Sequence, residues 1–183
     1  GDKVDMYIND EFFEQRFDRY DFMHASTNLT VIYEDENIML LDKKVGLLSH
    51  PDEREYNDTL LTRIKRYLYE NSFAPALINR IDRNTGGIVM AAKNAEALRI
   101  MNQKLKEREI KKFYLCVVHG TLKEKDGTLH GWLTKDEKKN LVKVSSRKTE
   151  GAKEIKTKYR VLAENKNMSL VEVELLTGRT HQI

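Results

Sequence analysis

Apolar residues first gather in two short runs, Leu29-Thr-Val-Ile-Tyr33 and Asn37-Ile-Met-Leu-Leu41, split by the acidic stretch Glu34-Asp35-Glu36. Two such runs around a polar turn predict a β-hairpin. Val45-Gly46 marks a further turn. Between about residues 58 and 71 the spacing becomes helical: Leu60, Leu61, Ile64, Tyr67 and Leu68 share one face, with Asn57 or Asp58 as the N-cap. Gly87-Ile-Val-Met-Ala-Ala-Lys93 reads as a buried strand. Asn94 then caps a second helix whose inner stripe is Ala97, Leu98, Met101 and Leu105.

Beyond a strand at about 112–118 the pattern holds strands only. Asp126-Gly127 and Lys139-Asn140 punctuate it as turns. Thr157, Tyr159 and Val161 alternate with Lys158 and Arg160, and Val171, Val173 and Leu175 with Glu172 and Glu174. Such alternation gives strands with one covered and one wet face, as in antiparallel sheets. The expected class is α+β: a long mixed, mostly antiparallel sheet with a few packed helices. A chain of 183 residues, 40% hydrophobic, can bury one sizeable core. We expect one main domain over 27–183, behind an acidic, aromatic-dotted lead-in over 1–26. The start at Gly1 and the stop at Ile183, inside a patterned segment, read as the ends of a fragment.

Charge adds a second layer. Residues 1–36 hold three basic and ten acidic side chains, whereas the remainder holds 29 basic and 19 acidic. Within that remainder, residues 135–158 carry nine basic and four acidic residues. A basic body suits a polyanionic partner, because Lys and Arg release counterions from phosphates; it equally suits a solvated lysine-rich surface. No apolar run is long enough to cross a bilayer, and the N-terminus lacks a signal-peptide pattern. The single cysteine, Cys116, lies in an apolar run and reads as a structural thiol. The five histidines show no metal-ligand spacing, so no protein metal site is expected.

The most distinctive stretch is Asn79-Arg80-Ile81-Asp82-Arg83-Asn84-Thr85-Gly86-Gly87, just ahead of the apolar strand. A polar loop feeding a buried strand holds its side chains on a rigid support. Positive charge on both sides of Asp82 favours its ionised form, which suits a nucleophile or a charge stabiliser and not a general acid. No second carboxylate lies nearby in sequence to make an acid/base pair. The double glycine lacks the Lys-Ser/Thr of a phosphate loop. The same residues also suit a turn closed by the Asp82 side chain with both arginines in solvent.

Arg80-Ile-Asp-Arg-Asn-Thr-Gly-Gly87 resembles the catalytic motif of the RluA-type RNA pseudouridine synthases, commonly Arg-Leu-Asp-Arg-x-Thr-Ser-Gly. Three further segments share the likeness in order: Tyr33–Lys43 with Gly46–Pro51, Lys112–Gly120, and Leu176-Thr-Gly-Arg-Thr-His-Gln-Ile183. Any one motif is weak; four in order over about 150 residues are specific. Asn79 stands where His is common, Gly86 where Ser is common, and Lys44 where Pro is usual.

The resemblance implies the pseudouridine synthase catalytic fold, here cut short at its C-terminus, behind the tail of an upstream RNA-binding domain. It implies that Asp82 is the catalytic carboxylate, that Tyr114 stacks on the target base, that Arg179 pairs with Asp82, and that Arg80 probes the RNA, with Arg83 also binding substrate. Isomerising uridine is redox-neutral, so no cofactor is implied. The implied partner is RNA, large-subunit ribosomal first and transfer RNA second. We further expect a cytoplasmic monomer that engages no membrane. Two other readings stay open on sequence alone: an RNA-binding module without catalysis, and an enzyme acting on free nucleosides.

Overall fold

The computed structural model describes residues 22–52, 55–136, 141–179 and 181–183. They fall into two compact units, one within 1–103 and the other within 104–183. Residues 1–21, most of the expected lead-in, and the Lys139-Asn140 turn lie outside the described residues.

The first unit is built on a four-stranded antiparallel sheet with strand order β1-β2-β4-β3. Strand β1 is Val31–Glu34, β2 Ile38–Lys43, β3 Ala76–Leu77 and β4 Gly87–Ala92. The expected hairpin joins β1 to β2. Its acidic turn works through Asp35, whose carboxylate accepts the Asn37 and Ile38 N–H groups at 2.7 Å each. These bonds pull the Asp35 carboxyl below its ordinary range. Lys93 adds an ion pair to Glu34 at 2.6 Å, tying the end of β4 to the hairpin. In the middle of the sheet, β2 and β4 pair in unbroken register from Ile38↔Ala92 to Lys43↔Gly87. Met39 and Leu41 of β2, and Val89, Ala91 and Ala92 of β4, are fully buried.

Helix α1 runs from Leu60 to Tyr67 and buries Leu60, Thr62 and Ile64. Its cap is Thr59, not Asn57 or Asp58. Thr59 Oγ1 accepts the Thr62 N–H while Thr62 Oγ1 accepts the Thr59 N–H, a reciprocal capping box. Asp58 is engaged elsewhere: its carboxylate takes two bonds from Arg63, both at 2.7 Å, and one from the Ser26 N–H. Tyr67, placed on the inner face by its spacing, is exposed, and its hydroxyl donates to Glu34. Helix α2, Ala95–Lys106, starts where expected, with Asn94 Oδ1 accepting the Ala97 N–H at 2.8 Å.

The second unit carries a five-stranded antiparallel sheet, order β5-β9-β8-β6-β7. Its strands are β5 Phe113–His119, β6 Asp126–Asp136, β7 Leu141–Ser145, β8 Lys153–Glu164 and β9 Met168–Leu175. The α+β class and the antiparallel pairing are as read from the sequence, with the strands distributed over two sheets. Asp126-Gly127 is not a turn; it opens β6 opposite Arg160 and Tyr159. Gly127 lies beneath the Tyr159 ring, where an added Cβ would stand 3.2 Å from a ring carbon, so close packing explains the glycine. Val171 and Val173 are buried, as their alternation predicts.

Thr59→Ala should lower the free energy of unfolding in urea by about 1–2 kcal/mol, the usual cost of a lost N-cap. A loss no larger than that of Asn57→Ala would contradict Thr59 as the cap.

Candidate active site

Arg80, Asp82 and Arg83 lie together on the loop between β3 and β4. All three are exposed, whereas Ile81 between the first two is buried. The loop is fixed at each step by hydrogen bonds. At its entry the Asn79 side chain accepts the Met90 N–H at 2.7 Å and donates to the Ile88 carbonyl at 3.4 Å, so it docks on β4. Asn79, the departure from the more common His, thus has a structural task. At Ile81 the buried Ser49 hydroxyl donates to the carbonyl at 2.7 Å and accepts the N–H at 3.4 Å. At Arg83 the carbonyl accepts the Gly46 N–H at 2.8 Å and the Lys43 ammonium at 3.3 Å. The turn is closed by the Asp82 carbonyl, not its carboxylate, accepting the Thr85 N–H at 3.0 Å. Gly87 leaves the loop at φ +128°, a conformation that side chains rarely adopt.

Two basic groups behind the loop were not singled out by sequence reasoning. Lys43 is fully buried, and its ammonium also donates to the carbonyls of Lys44 at 3.1 Å and Leu47 at 2.7 Å. Burial pushes its pKa down, and the charge of Asp82 partly opposes that shift. His50 adjoins Ser49, and its Nδ1 is buried with no hydrogen-bond partner. Burial, and then the nearby charges of Arg80 and Lys65, hold its imidazole below the ordinary value of 6.5. His50 is therefore neutral beside Arg80 at physiological pH.

Tyr114 and Arg179 belong to the second unit. Tyr114, on β5, pairs with Val173 of β9, and Arg179 follows the same end of β9. Tyr114 shares its face with Cys116, Val171 and Val173. Phe113 and Leu115, on the other face, are 55% and 66% exposed. They stand opposite Glu174 and Glu172, so this is the wet face of the sheet. Cys116 is half-buried, and burial raises its thiol pKa, as befits a structural residue. Arg179 is exposed on a turn knitted to β8. Its N–H donates to Gln182 Oε1 at 3.1 Å, and Gln182 Nε2 donates to the Lys156 carbonyl and Thr157 Oγ1. The Thr-Gly-Arg-x-His-Gln segment thus has a local structural logic: its Gln holds the turn that displays its Arg.

The basic stretch over 135–158 is displayed to solvent where it is described. Lys143, Arg147, Lys148, Lys153 and Lys158 are exposed. The Lys148 ammonium lies 5.4 Å from the Trp132 ring centroid, within cation–π range. Among the described residues no group of three His, Cys, Asp or Glu could hold a metal ion, and no helix is long and apolar enough to cross a membrane.

The loop presents an exposed aspartate between two exposed arginines, and comparison with known proteins assigns the class. A family model for RNA pseudouridylate synthases matches residues 37–183, and the chain belongs to this family. Over 186 aligned residues it is 35% identical to an RNA pseudouridine synthase of Mycoplasma pneumoniae described as uncharacterized, an alignment covering 100% of this chain and 58% of the relative. It is 31% identical to the ribosomal large subunit pseudouridine synthase D of Borreliella burgdorferi, over 93% of this chain and 54% of that protein. The chain thus spans little more than half the length of these relatives. In fold it is similar to the human RNA pseudouridylate synthase domain containing 1, with a TM-score of 0.69, 22% identity, and coverage of 86% of this chain and 63% of that one.

The depressed His50 pKa has a direct consequence for stability. Below pH 6.5 the unfolded chain takes up a proton on this residue before the native protein does. Stability should therefore be fully present above 6.5 and fall as pH drops towards the native value. In urea unfolding at pH 7.5 and 5.5, His50→Gln should lose less stability on acidification than the parent protein. An equal loss would show that His50 titrates normally.

Proposed function

We propose that the protein isomerises specific uridines to pseudouridine within structured RNA, with large-subunit ribosomal RNA as substrate, Asp82 as the catalytic carboxylate and no cofactor. The observation that carries this reading is the loop itself: Asp82 faces solvent between two exposed arginines while its neighbour Ile81 is buried and hydrogen-bonded. Family membership supports the reaction, and the printed names of relatives such as the Borreliella burgdorferi protein support the ribosomal substrate. In this reading residues 27–183 are the catalytic domain and 1–26 the tail of an upstream RNA-binding domain. The protein acts in the cytoplasm as a monomer.

The reaction breaks the N-glycosidic bond of uridine, turns the base and rejoins it to ribose through carbon. To be reached, the base must leave its stack, at a cost of a few kcal/mol. Phosphate contacts along the exposed lysines and arginines offset that cost. Arg80 enters the space the base vacates, and Arg83 contacts the backbone beside it. Tyr114 stacks on the everted pyrimidine, and Arg179 pairs with Asp82 during the chemical step. Asp82 acts at the sugar or the base, or assists removal of a ribose proton.

Release of tritium from RNA labelled at uridine C5 tests this. With full-length protein, large-subunit ribosomal RNA from cells lacking the enzyme should release tritium and bulk transfer RNA should not. Asp82→Ala and Asp82→Asn should abolish release while RNA binding survives. Near-normal turnover by Asp82→Ala would refute the assignment, and release from transfer RNA alone would transfer the reading to that substrate. Arg80→Ala should slow turnover more than it weakens RNA affinity; equal losses would count against its probing role.

A further inference from the structure

We propose that Ser49 is a positioning residue for Asp82: a single hydroxyl that sets the register of the catalytic loop. The inference rests on the reading of Asp82 given above and adds a residue to the site. Ser49 is 4% exposed, and its Oγ serves both backbone polar groups of Ile81, donating to the carbonyl at 2.7 Å and accepting the N–H at 3.4 Å. Ile81 is the residue between Arg80 and Asp82. Holding it inward forces its two neighbours outward, so this bond pair determines which side chains the loop presents.

Ser49 is itself anchored. Its own carbonyl accepts the Leu61 N–H at 3.1 Å, and the carbonyl of Leu48 accepts the Leu60 N–H at 2.8 Å. These donors are the first two of α1, groups that a helix cannot satisfy internally. The backbone of Ser49 is thus joined to the start of a packed helix and its side chain to the catalytic loop, 32 residues away in sequence. Without the hydroxyl, both polar groups of a buried residue lose their partner. The loop must then shift to recover hydrogen bonds, and Asp82 shifts with it.

The test compares Ser49→Ala and Ser49→Thr in the full-length protein, using large-subunit ribosomal RNA tritiated at uridine C5 from cells lacking the enzyme. Displacement of a catalytic group by about 1 Å can cost on the order of 100-fold in rate. Ser49→Ala should therefore lose about that factor in kcat, with KM for the RNA unchanged. Amide hydrogen exchange should accelerate over 79–86 and not over β4. Ser49→Thr, which keeps the hydroxyl, should restore kcat and protection together. If Ser49→Ala does not fold, Ser49→Cys, similar in size with a weaker donor, should give the same pattern. A folded Ser49→Ala protein with parental kcat, or without local acceleration of exchange, would overturn the proposal. Absence of tritium release by the parent protein would overturn the functional reading instead, and the exchange data would still decide whether Ser49 latches the loop.

Discussion

The candidate site depends on one constraint: Ile81 must face inward so that Asp82 can face outward. The loop over 78–86 could adopt many conformations, and fixing each residue costs about 1–2 kcal/mol of backbone entropy. Here that cost is met by hydrogen bonds placed at intervals, to β4 at Asn79, to Ser49 at Ile81, and to Gly46 and Lys43 at Arg83. Every anchor lies on β4, at the end of β2 or on the segment that follows it. These two strands form the best-buried pair of the first sheet, in register over six residues. The loop inherits the rigidity of that pair while its functional side chains remain in solvent.

The electrostatics follow the same division. Lys43 is fully buried behind the loop, its charge held by three carbonyls and partly supported by Asp82. His50 is kept neutral by burial and by the cations around it. The outer face carries Arg80, Asp82 and Arg83. Two positive charges thus stand where an RNA phosphate can use them, and His50 beside Arg80 adds none at neutral pH. Such a surface can offset the cost of unstacking a base.

Much of this was legible in the sequence, and the misses share a cause. The hairpin, β4, the Asn94 cap and the alternation of β9 were readable because each depends on neighbours in the chain. The α1 cap was displaced by one residue because Asp58 is recruited by Arg63 and by Ser26, contacts that spacing alone cannot rank. Asp126-Gly127 has turn chemistry, yet its glycine accommodates the Tyr159 ring across the sheet. Phe113 and Leu115 are apolar, yet they lie on the wet face opposite glutamates, a pairing that their own strand does not announce. The loop around Asp82 stood out by its own charge pattern, whereas Tyr114 and Arg179 were singled out only through the family likeness. Ser49 carried no local signal, since the Ile81 groups it holds lie 32 residues along the chain, and the reach of Lys43 to the Arg83 carbonyl spans 40.

The central claim is that an outward-held Asp82 carboxylate makes pseudouridine in RNA. Its most direct test is transcriptome-wide pseudouridine mapping in cells whose only copy of the gene encodes Asp82→Asn, with protein abundance checked. The account predicts that one or a few pseudouridines in large-subunit ribosomal RNA revert to uridine although the protein accumulates normally. An unchanged pseudouridine profile in those cells would contradict it.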